Sequence, residues 1–374
     1  MLTAQSLPLP VAQLPTPALV VDVDRLDANV VAMAAAMTSA GVVLRPHFKT
    51  SKMLEVARRQ LAAGAVGFTC ATPEEGDALV DASIDDVFWA NGTASVGKAR
   101  QAADFNRRGR VAVGVDSVEL AELLRDAAAA ASVTIPCLIE LDTGLHRTGV
   151  PAGRAVALAR AVTALPGLEM VGIYTHEGQL AGIDGDRAEV RKAGLSAGAT
   201  LAAVAAEIRA AGFALPIVSV GSTPGWDSAP RAEGVTEARP GTYVFFDANQ
   251  LRLESAAIEQ CALTVLTTVV STQREDGVVV DAGLKAMSSD RSNRGGTFGL
   301  VLDSAGRVDE SLSFDLAYEE HGLLTGPGSG RLAVGDVLRI LPNHACSTAA
   351  QYARYEVLGP GRDVSATWPR FSGW

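Results

Sequence analysis

Short apolar runs alternate with segments of helical spacing from residue 17 to about residue 245. The runs are rich in valine, leucine and isoleucine, as in strands that are buried on both faces of a parallel sheet. Amphipathic patterns such as Leu26–Met37 and Ala152–Thr163 predict helices between them. Roughly eight strand–helix units predict an α/β fold, a (β/α)8 TIM-type barrel. We expect its strands at 18–23, 42–44, 67–70, 86–90, 111–115, 136–141, 172–174 and 217–220.

An open, doubly wound sheet is the alternative architecture for this alternating pattern. No Gly-x-Gly-x-x-Gly motif follows the first apolar run, so a dinucleotide site of that fold has no support.

The pattern changes after about residue 246. Segments 263–271, 277–281, 337–342 and 353–358 are rich in β-branched residues and are separated by glycine and proline turns. They predict a C-terminal antiparallel β domain. The predicted domains are therefore a barrel, 17–245, and a β domain, 246–374, against which residues 1–16 pack.

Composition excludes several classes of protein. The chain has 374 residues and a formal net charge of -10, which argues against binding to nucleic acid or to an anionic membrane surface. The first ten residues lack the basic start of a signal peptide, and no apolar stretch is long enough to cross a membrane. The four cysteines are widely spaced, which favours a reducing cytoplasm over a disulfide framework.

Lys49 follows the apolar run Val42–Leu44 directly, with Arg45 and His47 just upstream. In a barrel of this type the loops after the strands form the reactive face. Burial and nearby positive charge favour a neutral amine, which can form a Schiff base with an aldehyde cofactor. The alternative is an ordinary surface lysine in a basic loop.

Two further loops after late apolar runs combine glycine with hydroxyl groups. They are Gly221-Ser222-Thr223-Pro224-Gly225 and Arg239-Pro240-Gly241-Thr242-Tyr243. Backbone N–H groups and hydroxyls in such loops can converge on a phosphate, and late-strand phosphate sites are common in this fold. Ordinary turns have the same composition, so the motif by itself leaves both interpretations open.

A His-x-Cys pair, His344 and Cys346, stands near the C-terminus. On an extended strand, residues two apart point to the same face, so an imidazole and a thiolate would be presented together. Nitrogen and sulfur ligands suit Zn²⁺, and two protein ligands leave positions open for catalysis. A buried cysteine beside a histidine is the structural alternative.

Taken together, these segments resemble the D-serine dehydratase and D-threonine aldolase family of fold-type III pyridoxal-phosphate enzymes. Arg45-Pro46-His47-x-Lys49-Thr50-x-Lys52 is similar to the cofactor-lysine motif of that family, and Asp142–Val150 is similar to the arginine loop of alanine-racemase-like barrels. Asp281–Lys285, Glu319–Gly322 and the His-x-Cys pair resemble its C-terminal markers. The resemblance extends from about Thr16 to Trp374.

The resemblance implies pyridoxal 5'-phosphate bound by Lys49 in the barrel, a divalent metal in the β domain, D-amino acid substrates and a homodimer. Zinc is the preferred ion, with Mn²⁺ or Mg²⁺ as alternatives if Cys346 is not a ligand. Arg147 would approach the phenolic oxygen of the cofactor and Tyr174 would pack near its ring. The phosphate would lie against Gly221, Ser222, Thr223, Gly241, Thr242 and Tyr243.

Two lyase reactions remain open. A dehydratase would eliminate the β-hydroxyl of D-serine or a similar substrate, with Lys49 taking the α-proton. An aldolase would cleave the Cα–Cβ bond, with His176 or His321 as the base. The resemblance favours the dehydratase, because aldolases of the family more often carry His-x-Asp.

Two other functions are further alternatives. A racemase would not need the His-x-Cys pair, and a non-catalytic cofactor carrier would be a single barrel without the β domain. Asp281 and Lys285 either contact substrate or pair with each other.

Overall fold

The computed structural model describes residues 7–84, 86–292 and 296–374. These residues form two compact units. The β unit contains the described residues up to Val30 together with Thr242–Ser372, and the α/β unit contains Val31–Gly241 with Gly373–Trp374. The first six residues, which we expected to pack on the β domain, lie outside the described residues.

The regular structure begins with strand β1 (Ala18–Asp22) and helix α1 (Val23–Ala40). The α/β unit then follows with an eight-stranded sheet in which every pairing is parallel. Strands β2–β9 are Val43–Leu44, Phe68–Cys70, Asp86–Trp89, Arg110–Val115, Ile135–Glu140, Leu168–Tyr174, Ile217–Val220 and Glu237–Ala238. Helices α2–α7 are Leu54–Ala62, Pro73–Asp81, Val96–Arg108, Val118–Ala131, Ala152–Thr163 and Arg187–Ala210.

The parallel sheet has the order β2-β9-β8-β7-β6-β5-β4-β3. Its two edge strands are connected just beyond β2, where His47 forms a parallel bridge with Thr69 of β3 and the N–H of Phe48 donates to the Thr69 carbonyl over 2.8 Å. This curled sheet with helices between its strands is the arrangement expected of a (β/α)8 barrel. Side chains fill its interior, including the buried cluster Phe88, Leu138, Val171 and Tyr174.

The expected strand at residues 18–23 belongs to the other sheet, and this is a correction. Strand β1 pairs antiparallel with β10 (Leu263–Ser271) and parallel with β16 (Arg354–Leu358), both in the β unit. The eighth parallel strand is β9, which has only two residues. A run such as Ala-Leu-Val-Val indicates a buried strand but does not indicate its partners.

The β unit contains a nine-stranded, mainly antiparallel sheet, as the β-branched segments predicted. Its remaining elements are α8 (Ala248–Arg252), β11 (Gly277–Val280), α9 (Leu284–Met287), β12 (Gly299–Leu302), β13 (Ser313–Ala317), β14 (Gly322–Thr325), β15 (Val337–Pro342), α10 (Ala345–Ala349) and β17 (Val364–Pro369). Short 3₁₀ helices occur at Val11–Gln13, Gly178–Gly182, Ala229–Arg231, Thr242–Val244, Ile258–Gln260 and Pro327–Arg331.

Two further expectations from composition can be compared with the structure. The four cysteines are all free thiols, as expected for a chain without a disulfide framework. Within the described ranges, no helix combines the length and the hydropathy that a membrane crossing requires.

Candidate active site

Lys49 lies in a tight turn after strand β2. The turn is closed by the N–H of Lys52, which donates to the Phe48 carbonyl over 2.8 Å. The Lys52 ammonium lies 3.0 Å from the carboxylate of Glu75, and the Glu75 side chain is almost fully buried. The half-buried Lys49 is therefore held in a turn anchored at both ends, beside the carboxyl edge of the parallel sheet.

Two histidines, His47 and His176, lie close enough to Lys49 for its charge to lower their pKa values. Burial, followed by the positive charges of Lys49 and Arg239, places the pKa of His47 well below its usual range. Burial, again followed by Lys49, lowers the pKa of His176 to about 3. Both imidazoles are therefore neutral near pH 7, and Arg147 acts on each of them as well.

The tautomer of His176 follows from its partner. Its Nδ1 lies 2.5 Å from the carbonyl oxygen of Gly221. Because a carbonyl can only accept, Nδ1 carries the proton and Nε2 keeps its lone pair. A Cβ on Gly178 would come within 3.1 Å of Nε2, so a glycine here leaves that nitrogen uncrowded. A neutral imidazole with one free lone pair can act as a general base.

The structure identifies Arg239 as a residue of this site that the sequence prediction did not select. Its buried guanidinium donates to the Thr175 carbonyl over 2.7 Å and lies 5.2 Å from the centre of the Tyr174 ring. Burial lowers the pKa of Arg239, although the nearby carboxylates of Glu237 and Glu177 oppose this effect. The only sequence signal was its position in the Arg-Pro-Gly-Thr-Tyr loop.

The Gly221–Gly225 loop is the part of the site best suited to phosphate. The hydroxyl of Thr223 is buried and makes no hydrogen bond within the part of the chain that the structure describes. By contrast, the Ser222 hydroxyl accepts from the Gly225 N–H at 3.2 Å. An orphaned buried hydroxyl in a glycine loop calls for a ligand acceptor or donor, so the loop fits a phosphate group.

Glu177 stabilises this loop by a hydrogen bond to its backbone, and the sequence prediction did not select it. Its fully buried carboxylate accepts from the N–H of Gly221 at 3.0 and 3.2 Å. Burial raises the pKa of Glu177, while Arg239 and the Gly221 hydrogen bonds partly oppose this. Gly221 is thus held at both its N–H, by Glu177, and its carbonyl oxygen, by His176.

Arg45 does not have the role that its proximity to Lys49 in sequence suggested, and this is a correction. Its guanidinium is 2.7 Å from the carboxylate of Glu237 and 2.9 Å from that of Asp86. Its charge is therefore compensated by two carboxylates instead of acting on the amine.

Tyr174 is part of the core. It is almost fully buried, packs edge-to-face on Phe88 with the ring centres 4.8 Å apart, and donates its hydroxyl to the Ala90 carbonyl at 2.9 Å. Its role beside the cofactor ring stays a prediction. Arg147 is exposed and close enough to influence Glu140, whose pKa is raised mainly by burial.

The β unit brings His344 and Cys346 together, but not through the expected geometry. Strand β15 ends at Pro342, His344 is the N-cap of helix α10, and Cys346 lies in its first turn. The prediction of two residues on one strand face is therefore wrong. The two side chains are nevertheless close. The negative charge of Cys346 and a hydrogen bond with Asp290 raise the pKa of His344 to about 11, although burial opposes this shift.

Two contacts orient this pair. His344 Nδ1 lies 2.9 Å from the Asp290 carboxylate, which leaves Nε2 for a metal. Cys346 Sγ lies 3.6 Å from the Thr242 hydroxyl. A carboxylate that fixes the tautomer of a ligating histidine is a usual feature of metal sites. The donor set therefore fits a divalent ion with open positions, although no cluster of three or more His, Cys, Asp or Glu ligands occurs among the described residues.

Asp247 fixes the peptide between the two residues of the pair. One of its carboxylate oxygens accepts from the Ala345 N–H at 3.0 Å, and the other accepts from the Gln250 N–H at the start of α8, also at 3.0 Å. Burial raises the pKa of Asp247, and His344 opposes this shift. Helix α8 and the start of α10 are thus held together by one buried carboxylate.

The other predicted residues of the β unit are at the surface or in the framework. His321 is exposed in the turn between β13 and β14, and its ring makes no hydrogen bond or ion pair within residues that the structure describes. Asp281 accepts from Thr16 and Thr267, whereas Lys285 pairs with Glu319 and Glu320. The pairing of Asp281 with Lys285 that was one of two alternatives is therefore wrong.

Comparison with known proteins supports the resemblance. Residues 21–249 match the family model "Alanine racemase, N-terminal domain", and residues 262–358 match "Putative serine dehydratase domain". The chain belongs to the D-serine dehydratase and D-threonine aldolase family. This chain matches both models, and its relatives below are dehydratases and aldolases, so the expectation of an enzyme of the lyase class is confirmed.

Members of this family with assigned names cover nearly the whole chain. D-threo-3-hydroxyaspartate dehydratase from Delftia sp. (strain HT23) is 39% identical over 96% of this chain and 98% of its own. D-threonine aldolase from Arthrobacter sp is 32% identical over 91% of this chain and 88% of its own. The solved structure of the Delftia enzyme has a TM-score of 0.91, with 37% identity, over 97% of this chain and 99% of that chain.

Solved structures of two variants of a D-threo-3-hydroxyaspartate dehydratase are also similar to this chain. One carries a histidine-to-alanine change, and the other carries a cysteine-to-alanine change and is described as a metal-free form. The two changed positions are two residues apart in that protein, which is the spacing of His344 and Cys346 here.

Proposed function

We propose that this chain is a pyridoxal-phosphate- and divalent-metal-dependent lyase that removes water from D-β-hydroxy-α-amino acids, giving a 2-oxo acid and ammonia. D-serine and D-threo-3-hydroxyaspartate are the substrates to test first. The observation that carries the proposal is the pairing of His344 with Cys346 beside the orienting carboxylate of Asp290. A racemase has no use for such a pair.

In the α/β unit, the residues present suit the cofactor. Lys49 would hold its aldehyde carbon, and the orphaned hydroxyl of Thr223 would contact its phosphate together with Gly221, Ser222 and Gly241. When bound, pyridoxal phosphate supplies an electron sink for charge that develops at the substrate α-carbon. Thr242 and Tyr243 belong to the β unit, and their contribution to phosphate binding remains part of the proposal.

Lys49 would also carry the α-proton, since it is the amine at the centre of the site. The neutral state of His47 and His176 matters here, because protonated imidazoles would add positive charge beside that amine. Arg147 and Arg239 would then supply the fixed positive charge that favours the anionic phosphate and phenolic oxygen of the cofactor.

In the β unit, His344 and Cys346 would hold the ion. Zinc suits this nitrogen and sulfur pair best, and Mn²⁺ or Mg²⁺ would apply if the thiolate is not a ligand. A divalent ion there would lower the barrier to loss of the β-hydroxyl by stabilising the charge of the leaving group. Asp290 would keep the His344 ring in the ligating tautomer.

Cleavage of the Cα–Cβ bond is the second candidate, and the state of His176 favours it. The free Nε2 lone pair of this neutral imidazole could take the proton of a substrate hydroxyl, as an aldolase requires. The exposed His321 remains a weaker alternative base. A homodimer and a cytoplasmic location stay predictions.

Cysteine variants test the proposal. Cys346→Ala should lose most of its bound metal and most of its turnover of D-β-hydroxy amino acids. Cys261→Ala is a matched control, because Cys261 is a free, buried cysteine in the same unit. Metal analysis and turnover would be measured on both. Retention of metal-independent activity by Cys346→Ala would contradict the proposal and support a racemase.

A further inference from the structure

Three arginines of the β unit surround a small cavity that plays no part in the proposed reaction. Arg25 lies in the first turn of α1, Arg339 in β15, and Arg362 in the turn between β16 and β17. The cavity has a volume of about 20 Å³, and its lining also includes Asp22 and Thr264. Three separate segments of the chain thus contribute charged side chains to one small cavity.

The charges in this cluster do not balance. Asp22 is the one carboxylate that acts on Arg339, whereas Arg362 and Arg25 both repel it. Asp22 is already 3.5 Å from the guanidinium of Arg25. Three positive groups therefore share a single negative one.

The arginines also differ in their hydrogen bonds. Arg25 Nη1 donates to the carbonyls of Ile258 and Cys261 at 3.1 and 3.0 Å. The guanidinium of Arg339, although half-buried, makes no hydrogen bond or ion pair with any residue that the structure describes. Burial, and then the charge of Arg362, lowers the pKa of Arg339, as expected where positive charge is not compensated.

We propose that Arg25, Arg339 and Arg362 form a binding site for a small oxyanion such as phosphate or sulfate. Planar guanidinium groups match the oxygen pairs of such anions and bind them more strongly than they bind neutral acceptors. A cavity of about 20 Å³ admits about one water-sized group. One anion oxygen would enter it while the rest of the anion remains at the mouth, beside the exposed Arg362.

The anion has two chemical sources, inorganic phosphate or sulfate, and the phosphoryl group of a metabolite. The site is independent of the proposed lyase reaction, because none of its residues belongs to the cofactor or metal set. An anion bound there would stabilise the β unit by binding the native state and not the unfolded one.

The test is calorimetric titration of the protein saturated with pyridoxal phosphate, so that the cofactor-phosphate loop is filled. Inorganic phosphate, sulfate, a simple phosphate monoester and chloride would be titrated at constant ionic strength. We expect one saturable site per chain for the oxyanions and none for chloride. Binding of the inorganic anions without binding of the monoester would identify the natural ligand as an inorganic anion.

Arg339→Gln should weaken oxyanion binding about ten-fold or more, the equivalent of one charge-assisted hydrogen bond. Arg274→Gln is the matched control, because Arg274 is an exposed arginine of the same unit paired with Asp276. Arg362→Gln is a second test variant at an exposed position, where folding is not at risk. The absence of saturable oxyanion binding, equal binding by Arg339→Gln, or chloride binding as tight as phosphate would each overturn the inference.

Discussion

The hydroxyl of Thr223 offers a prediction in which the free protein and the cofactor complex respond in opposite directions. The side chain is buried, and Oγ1 has no partner among the described residues. A buried polar group without a partner costs about 1–3 kcal/mol. Thr223→Val removes that group while keeping the shape of the side chain, so the free energy of unfolding of the apoprotein should rise, by up to about 1–3 kcal/mol.

The cofactor complex should respond in the other direction. A hydrogen bond to a charged group contributes about 1.5–3 kcal/mol, so the apparent Kd for pyridoxal phosphate should rise roughly 10- to 150-fold in Thr223→Val. Urea unfolding of the apoprotein measures the first effect, and titration followed by the cofactor absorbance measures the second.

Thr93→Val is a matched control for this experiment. The Thr93 hydroxyl is also buried without a partner in the described part of the α/β unit, but it lies outside the Gly221–Gly225 loop. It should leave cofactor affinity unchanged. Binding of pyridoxal phosphate by Thr223→Val as tight as by the parent, or equal weakening of binding in both variants, would contradict a phosphate contact of Thr223.

Three further perturbations follow from the structure. Asp290→Ala should weaken metal binding about 10- to 100-fold, as measured by competition titration, whereas the exposed control Asp276→Ala should not change it. Equal metal affinities of the two variants would contradict the orienting role of Asp290. Since the pKa of His176 is lowered to about 3, the folded state loses stability as pH falls from about 6.5 toward 3, and His176→Asn should reduce this acid loss in urea unfolding of the apoprotein. An unchanged pH dependence would count against that shift. Arg45→Met should lower the free energy of unfolding by about 3–5 kcal/mol, because it leaves the Glu237 carboxylate buried without its ion-pair partner, and the cofactor absorbance should remain unchanged. A stable variant with an altered cofactor spectrum would instead favour a role of Arg45 near the Lys49 amine.

Much of the fold could be predicted because its local signals are strong. Helix α6 was predicted with both of its ends, and β10 and β15 were predicted at their observed bounds. Pairing is a non-local property, so β1 was placed in the wrong sheet. Strand β9 was missed because it has two residues, one of them the buried Glu237 that binds Arg45.

The site was predictable in its motifs but not in its support. Lys49 and the glycine loops carry recognisable local patterns. The contributions of Arg239 and Glu177 depend on contacts across the parallel sheet that no local pattern contains. His344 and Cys346 were selected correctly as neighbours for the wrong reason, since a helix N-cap and its first turn bring side chains together as a strand face does.

The decisive measurement is identification of the products formed from D-threo-3-hydroxyaspartate, with D-serine and D-threonine in parallel and with and without a chelator. We expect equal amounts of a 2-oxo acid and ammonia, loss of this activity on chelation, and its return when the divalent ion is restored. Glycine with an aldehyde, or turnover that a chelator does not affect, would contradict the proposed function.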